Sequence, residues 1–479
     1  MCIVCDNSLS FRFMEKCELT QCSKVKHIPI FSLMKTLIVN KCRNLNFTIL
    51  PKNLETLELF ECEGMTSIPR QNWSSKLTTL KCTNNTRLKC ISSDLVNLKY
   101  IECYGCNELK EIPKEFINLE TLNCSSCIRL THIPKEFTKL KSLNCSYCPN
   151  LTPSHSIEND SSIRNVWVDP SGWIKHLTNL IDLNCAYCHS FTDDDMWLSN
   201  LINLKTLNCN KTGLKTIPSS LVNLETLNCN GCNISEIPSS LVNLKTLDCS
   251  YTNIRTIPEF KLETLNCSCC KLLIEIPKIV NLTSLDCSKT FIKEIPIELI
   301  NLTYLDCTGC NITSIPKELI SLTKLECYEC PNLTSEGIPL ELINLTSIDC
   351  WNCPKITKIQ RYINLKNLNC SFCPITYIPK LDNLTELTCV GCSSLIYVSK
   401  FKKLPASTIH FEDCDNLIFV IGNRKYPKKH KYEIYRREGC KKLVSTIFEE
   451  LIQRTWEPKR ARDWCWDEDE KKFMSDYVR

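Results

Sequence analysis

Residues 204–243 read LKTLNCNKTGLKTIPSSLVN followed by LETLNCNGCNISEIPSSLVN, one phrase written twice, and Leu244 opens it a third time. With Leu204 as position one, Leu207 is position four, Cys209 six, Thr212 nine and Leu214 eleven, and Ile217-Pro218 follow. The rule is L-x-x-L-x-C-x-x-(C/T)-x-(L/I)-x-x-I-P-x-x-L-x-x. Self-similarity at a fixed period near 20 residues marks a stack of short units, each unable to bury its apolar face alone. The core of such a stack grows along one axis, so a 479-residue chain need not divide into the several globular domains its length suggests.

Outward from that stretch, the phrase recurs in nineteen copies from Met14 to Ala406, the first and last degenerate. The interval from Leu140 to Leu180 is twice the usual length. Its excess, around 152–173, reads as a surface loop on its Ser, Asn, Asp and Pro content, or as a decayed repeat through Ile163, Val166 and Val168. Positions three to six predict a short strand, with four and six inward and three and five outward, because side chains alternate along a strand. The Ile-Pro segment suits an extended or short-helical return, since Pro fixes φ and offers no N–H. The expected fold is an α/β repeat solenoid: a parallel sheet lining a concave face, and short irregular or helical returns on the convex face. Its divisions are an N-terminal extension over 1–13, the solenoid over 14–422, and a C-terminal region over 423–479.

That C-terminal region differs in kind. Arg424–Lys442 is a basic linker, and Leu443, Val444, Ile447, Phe448, Leu451 and Ile452 follow at helical spacing before Pro458. One apolar stripe on one helix suits a cap over the last repeat. Beyond it lies a tail with Trp464, Trp466 and the acidic run from Asp467. The net charge of +5 resides here, because residues 1–423 carry equal numbers of each sign. Ile452-Gln453 with Arg462 matches a calmodulin-binding pattern only weakly, because Pro458 breaks the helix. No apolar run approaches the roughly 20 residues of a membrane span, and the start MCIVCDNSLSFRFMEKC lacks the form of a signal peptide. The Asn-Leu-Thr triplets at Asn281, Asn301 and Asn344 belong to the repeat and carry no separate weight as glycan acceptors.

Thirty-seven cysteines call for an explanation. Eleven copies carry C-x-x-C at positions six and nine, from Cys103/Cys106 to Cys389/Cys392. Two such pairs could share a zinc ion, and one pair could serve redox chemistry. The internal alignment argues for a third role. Where position six is not Cys it is Leu19, Val39, Leu59 or Phe411, all apolar, so Cys there stands in for a small hydrophobe. Where position nine is not Cys it is Asn85, Thr212, Thr252 or Thr290, small hydrogen-bonding residues of which Thr supplies no thiolate. Structural ladders are therefore expected, in a reducing compartment, with no metal or other cofactor. Cys2, Cys5, Cys17, Cys90, Cys269, Cys440 and Cys465 fall outside both ladders.

Position five is expected to be the most exposed column. It reads Asn208, Asn228, Asp248, Asn266, Asp286, Asp306, Glu326 and Asp349 through the central repeats, with Tyr251, Tyr328 and Trp351 among flanking aromatics. One reading is a recognition strip with aromatic anchors; the other is a solvated ladder that keeps the sheet soluble. Stacked like charges are unfavourable, so the acidic half points to a basic partner. No catalytic Ser/His/Asp arrangement, phosphate loop or paired-carboxylate site is present, and the basic linker lacks an accompanying nucleic-acid fold.

The pattern L-x-x-L-x-C-x-x-(C/N/T)-x-(L/I)-x-x-I-P over Met14–Cys414 resembles the leucine-rich-repeat family, with Cys in place of the third Leu. The Cys-for-Leu habit, the Ile/Asn/Lys bias and the Trp-rich tail resemble repeat proteins of amoeba-infecting giant DNA viruses. The first resemblance implies a curved solenoid that binds another protein on its concave face without catalysis; the second implies the host cytoplasm. The expected function is a protein–protein interaction scaffold. A metal-binding or redox protein using the C-x-x-C pairs is the alternative from another class. An effector whose tail recruits host machinery is a third reading.

Overall fold

The computed structural model describes residues 15–21, 33–44, 50–69, 76–152, 172–192, 196–398, 408–410, 413–414, 416–417 and 419–420. The expectations for the 1–13 extension, for most of the 152–173 insertion, and for the linker, helix and tail of 423–479 lie outside those residues. The chain divides into two units, Met1–Leu302 and Thr303–Arg479.

In the first unit each repeat contributes one short strand to a parallel sheet, from Lys16–Thr20 through Thr206–Asn208 to Ser284–Asp286. Register is strict: position three pairs with three, four with four and five with five, as in Thr206↔Thr226, Leu207↔Leu227 and Asn208↔Asn228. Strands Ser142–Asn144 and Asp182–Asn184 pair directly, so the long interval between Leu140 and Leu180 adds no rung to the sheet. Beside it, Phe191 meets Trp173 and Trp197 edge to face at 6.3 and 5.3 Å, and the Trp173 indole donates to the Thr152 carbonyl. The second unit repeats the plan from Tyr304–Asp306 to Glu386–Thr388 and Ile409–His410, again with like positions in register.

The alternation that built the strands also builds the core. Leu204, Leu207, Cys209 and Leu221 are fully buried, as are their counterparts in successive repeats. Fully burying such a leucine stabilises by about 1.5–3 kcal/mol. The returns are less regular than an α/β label suggests. Among the described residues the helical pieces are two 3-10 turns, Ile174–His176 and Trp197–Asn200. Elsewhere the N–H of position eighteen donates to the carbonyl of the preceding Pro, as Leu221 does to Pro218 and Leu319 to Pro316, and the chain turns there without coiling. Two-residue outer strands also form, pairing Ser67–Ile68 with Cys90–Ile91 in the first unit and Tyr377–Ile378 with Tyr397–Val398 in the second.

Candidate functional site

The sheet face and the turn that follows each strand are built by three columns of bonds. The two thiol ladders come first. Of the cysteines within the described residues, all but Cys90, Cys269 and Cys414 are buried. Position-nine thiols reach back across the stack and donate to the position-six carbonyl of the preceding repeat, as Cys106 does to Cys82, Cys232 to Cys209 and Cys373 to Cys350, at 2.8–3.0 Å. Thr212 and Thr252 instead donate to Cys209 and Cys249 within their own repeats, at 2.8 and 2.6 Å. Asn85, 1 % exposed, takes the N–H of Cys62 and gives its amide to the Leu59 carbonyl. Position six is oily filler and position nine stitches the turn. Among the described residues, no three His, Cys, Asp or Glu side chains converge as a metal would require. Burial pushes the position-six thiols Cys185 and Cys229 well above the usual thiol value.

Position five departs from expectation. It is half-buried along most of its length, and the more exposed column is position two, with Lys205, Lys245, Glu263 and Thr323. The reason is an Asx turn, in which a short carbonyl-bearing side chain accepts from backbone two residues on. Ser250 donates both its N–H and its hydroxyl to one oxygen of Asp248. Ser268 does the same to Asn266, and Ser288 to Asp286. Asn208 and Asn228 accept the N–H of Asn210 and Asn230. Asp306 is buried and accepts from the Thr308 N–H. Asn and Asp alternate in this column because either fills the role.

The acids of the second unit are also compensated from within. Glu326 receives the Lys324 ammonium at 2.6 Å and the Tyr304 hydroxyl at 3.0 Å. Asp349 accepts the Trp351 N–H at 3.1 Å and the Asn369 amide at 3.2 Å. Burial lifts its carboxyl above the ordinary aspartate range; those two donors oppose the shift and the Glu326 charge adds to it. The stacked carboxylates therefore do not by themselves require a basic ligand.

Position eight holds what the sequence did not disclose. It adopts positive φ in repeat after repeat: Lys211 at 52°, Tyr251 at 56°, Lys289 at 56°, Glu329 at 55° and Phe372 at 57°, with Gly105, Gly231, Gly309 and Gly391 in the same place. Only glycine adopts this region freely; other residues are strained there by roughly 1–2 kcal/mol. The geometry lets the position-eight N–H donate to the position-seven carbonyl of the next repeat, as Lys211 does to Asn230 and Glu329 to Trp351. Side chains at positions seven and eight then project beside the sheet. In the first unit Tyr147 and Tyr187 stack at 4.3 Å, and the Lys211 ammonium sits 4.9 Å over the Tyr187 ring. Tyr251 is 64 % exposed. In the second unit Tyr328 meets Trp351 at 6.3 Å and Trp351 meets Phe372 at 5.8 Å, both edge to face.

At the opposite end of each strand runs an asparagine ladder at position zero. Asn223 and Asn243 give their amides to the carbonyls of Ile202 and Val222, and Asn344 and Asn364 to those of Ile320 and Ile343. Recurrence of Asn before the opening Leu was the available signal. In the second unit a shallow polar groove of about 660 Å³ is lined by Thr323, Asn344, Thr346, Asn364 and Lys366. Position two carries charges in alternation, so Glu225 is held between Lys205 and Lys245 at 3.1 and 2.7 Å. No helix among the described residues is long and apolar enough to cross a membrane.

Comparison with known proteins agrees with this architecture. Residues 222–261 match the profile of paired leucine-rich repeats, and 301–322 that of a single one. No curated protein matches the chain. A leucine-rich-repeat protein of Leptospira interrogans is similar at 25 % identity over 70 % of this chain and 91 % of its own, with a TM-score of 0.54. The functional domain of InlJ from Listeria monocytogenes, described as including a cysteine ladder, is similar at 22 % identity over 70 % of this chain and 72 % of its own, with a TM-score of 0.51. YopM from Yersinia enterocolitica is similar at 17 % identity over 82 % of this chain and 91 % of its own, with a TM-score of 0.52. The repeated phrase, the matched stretches and the stacked parallel strands together give this chain the fold of a leucine-rich-repeat solenoid.

Proposed function

We propose that the chain is a non-enzymatic interaction scaffold that binds a protein partner across its sheet face and the adjoining turn ridge. The observation that supports this is a division of labour between columns. Positions four, six, nine and zero are engaged in packing or in holding backbone groups. Positions two, three and eight are held in register by the same bonds, yet they vary among Lys, Glu, Thr, Tyr and Phe without changing the turn. Side chains ordered by the fold but not needed for it are available for recognition.

Within the face, Tyr251, Tyr328, Trp351, Glu326 and the outer edge of Asp349 are the residues assigned to partner contact. Asn208, Asn228, Asp248, Asn266, Asp286 and Asp306 are assigned to the turns that support them. Thiols that donate to carbonyls must stay reduced, which favours the cytosol, and a host cytoplasm if the chain is viral. The test is site-specific photo-crosslinking in the source cell. A crosslinker at Thr226 or Thr323 on the face should capture a discrete protein, and one at Ile297 or Glu318 on the returns should not. Equal capture from both sides would overturn the assignment.

A further inference from the structure

We infer that the Tyr328–Trp351–Phe372 row of the second unit is a docking site for an arginine side chain presented by an extended segment of a protein partner. The inference rests on the sheet-face reading above and names the chemistry that reading leaves open.

The rings are not there for the fold. Position seven is Asn210, Asn230, Ser250 or Ala186 in repeats that make the same turn, and there the side chain is small and polar or a methyl. At position eight, glycine would relieve the positive φ that Phe372 sustains at 57°. The neighbouring repeat does carry glycine there. A methyl on Gly391 would come within 2.6 Å of the Phe372 ring, so Gly391 leaves room for that ring to lie over it. The Phe372 ring is 50 % exposed, so it lies in reach of a partner and is not spent on the core.

The same molecule shows what such rings accept. Lys211 covers Tyr187, and Lys324 covers Tyr304 at 5.0 Å. Positions seven and eight of the repeats opening at Leu322, Leu345, Leu365 and Leu384 are Tyr328-Glu329, Trp351-Asn352, Ser371-Phe372 and Val390-Gly391, with no Lys or Arg among them. Among the described residues no cation lies over this row. Glu329 stands beside it, exposed and without an ion pair among the described residues. A ring row with a neighbouring carboxylate and no cation of its own is complementary to a guanidinium. That group is planar, weakly hydrated and able to stack on a ring while pairing with a carboxylate. Trp is the ring type that attracts cations most strongly.

The experiment uses the full chain under reductant and fluorescent five-residue peptides, Gly-Arg-Gly-Arg-Gly and its isosteric neutral citrulline counterpart, read by fluorescence anisotropy. The arginine peptide should bind at least about tenfold more tightly than the citrulline peptide. Trp351→Ala should weaken it by about three- to tenfold. Glu329→Gln, which touches no packing, should weaken it by about two- to threefold, an effect that fades in high salt. Glu318→Gln, an exposed residue on the returns, should leave it unchanged. Equal binding of the two peptides, or arginine binding indifferent to both Trp351→Ala and Glu329→Gln, overturns the inference. Should those results come with face-specific crosslinking intact, the scaffold reading survives and only the cation chemistry falls.

Discussion

Alkaline pH should loosen this protein through its core. Cys185 and Cys229 are fully buried, and burial holds both thiols well above their ordinary value of 9.0. A group that keeps its proton longer in the folded chain than in the unfolded one contributes stability that is fully present below the unfolded value. That stability is lost as pH climbs toward the folded value. Each such thiol removes about 1.4 kcal/mol per pH unit above roughly pH 9, so this pair removes about 2.7 kcal/mol by about pH 10. The perturbation is the double variant Cys185→Ala/Cys229→Ala. It keeps position six apolar and lowers the baseline by about 1–2 kcal/mol through lost packing. It should also flatten the alkaline slope by about 2.7 kcal/mol per pH unit. The assay is urea unfolding followed by circular dichroism at pH 8, 9 and 10 in a phosphine reductant. Parallel slopes for the two proteins would refute the reasoning, and so would thiolate absorbance near pH 9 in the folded chain that the double variant loses.

Three further outcomes are expected. Asn85→Ala should destabilise by about 2–4 kcal/mol in thermal or urea melts, since it strands the Cys62 N–H and the Leu59 carbonyl inside the core; Asn85→Cys should recover part of that loss. Asp248→Asn should leave the melting curve and partner capture nearly unchanged, because Asn228 and Asn266 fill the same turn, whereas Asp248→Ala should lower stability by about 1–2 kcal/mol. Lys289→Gly should stabilise the fold and Gly391→Ala should destabilise it, each by about 1 kcal/mol or more in urea melts, because positive φ favours glycine and the added methyl meets Phe372.

The period and the inward columns were legible because they depend on two coarse properties, apolarity and size, repeated at fixed spacing. The substitutions Leu19, Val39 and Leu59 for Cys at position six, and Thr212 and Thr252 at position nine, mark one column as packing and the other as turn-binding. Position five is less exposed than strand alternation predicts, because alternation assigns a side, not a bond. That Asn or Asp stands two residues before Ser at 123, 144, 248, 266, 286 and 369 is a readable turn signature, a role distinct from both the recognition strip and the solvated ladder. Position eight was opaque for a different reason. Positive φ is inferred from Gly or Asn, and this column also holds Tyr147, Tyr187, Lys211, Tyr251 and Glu329. The backbone bond to the next repeat imposes the conformation whatever the side chain, so composition concealed it.

The choice between Cys and Thr at position nine has a mechanical meaning. A Cys ties its repeat to the one before it, whereas Thr212 and Thr252 turn their hydroxyls inward to their own repeats. Thr290 does the same with Cys287, so the junctions before the repeats opening at Leu204, Leu244 and Leu282 lack the thiol stitch that their neighbours have. A stack held by nearest-neighbour contacts parts where adjacent rungs grip each other least. Those three junctions are the seams along which the first unit should begin to unzip, and amide exchange should quicken there before it does elsewhere.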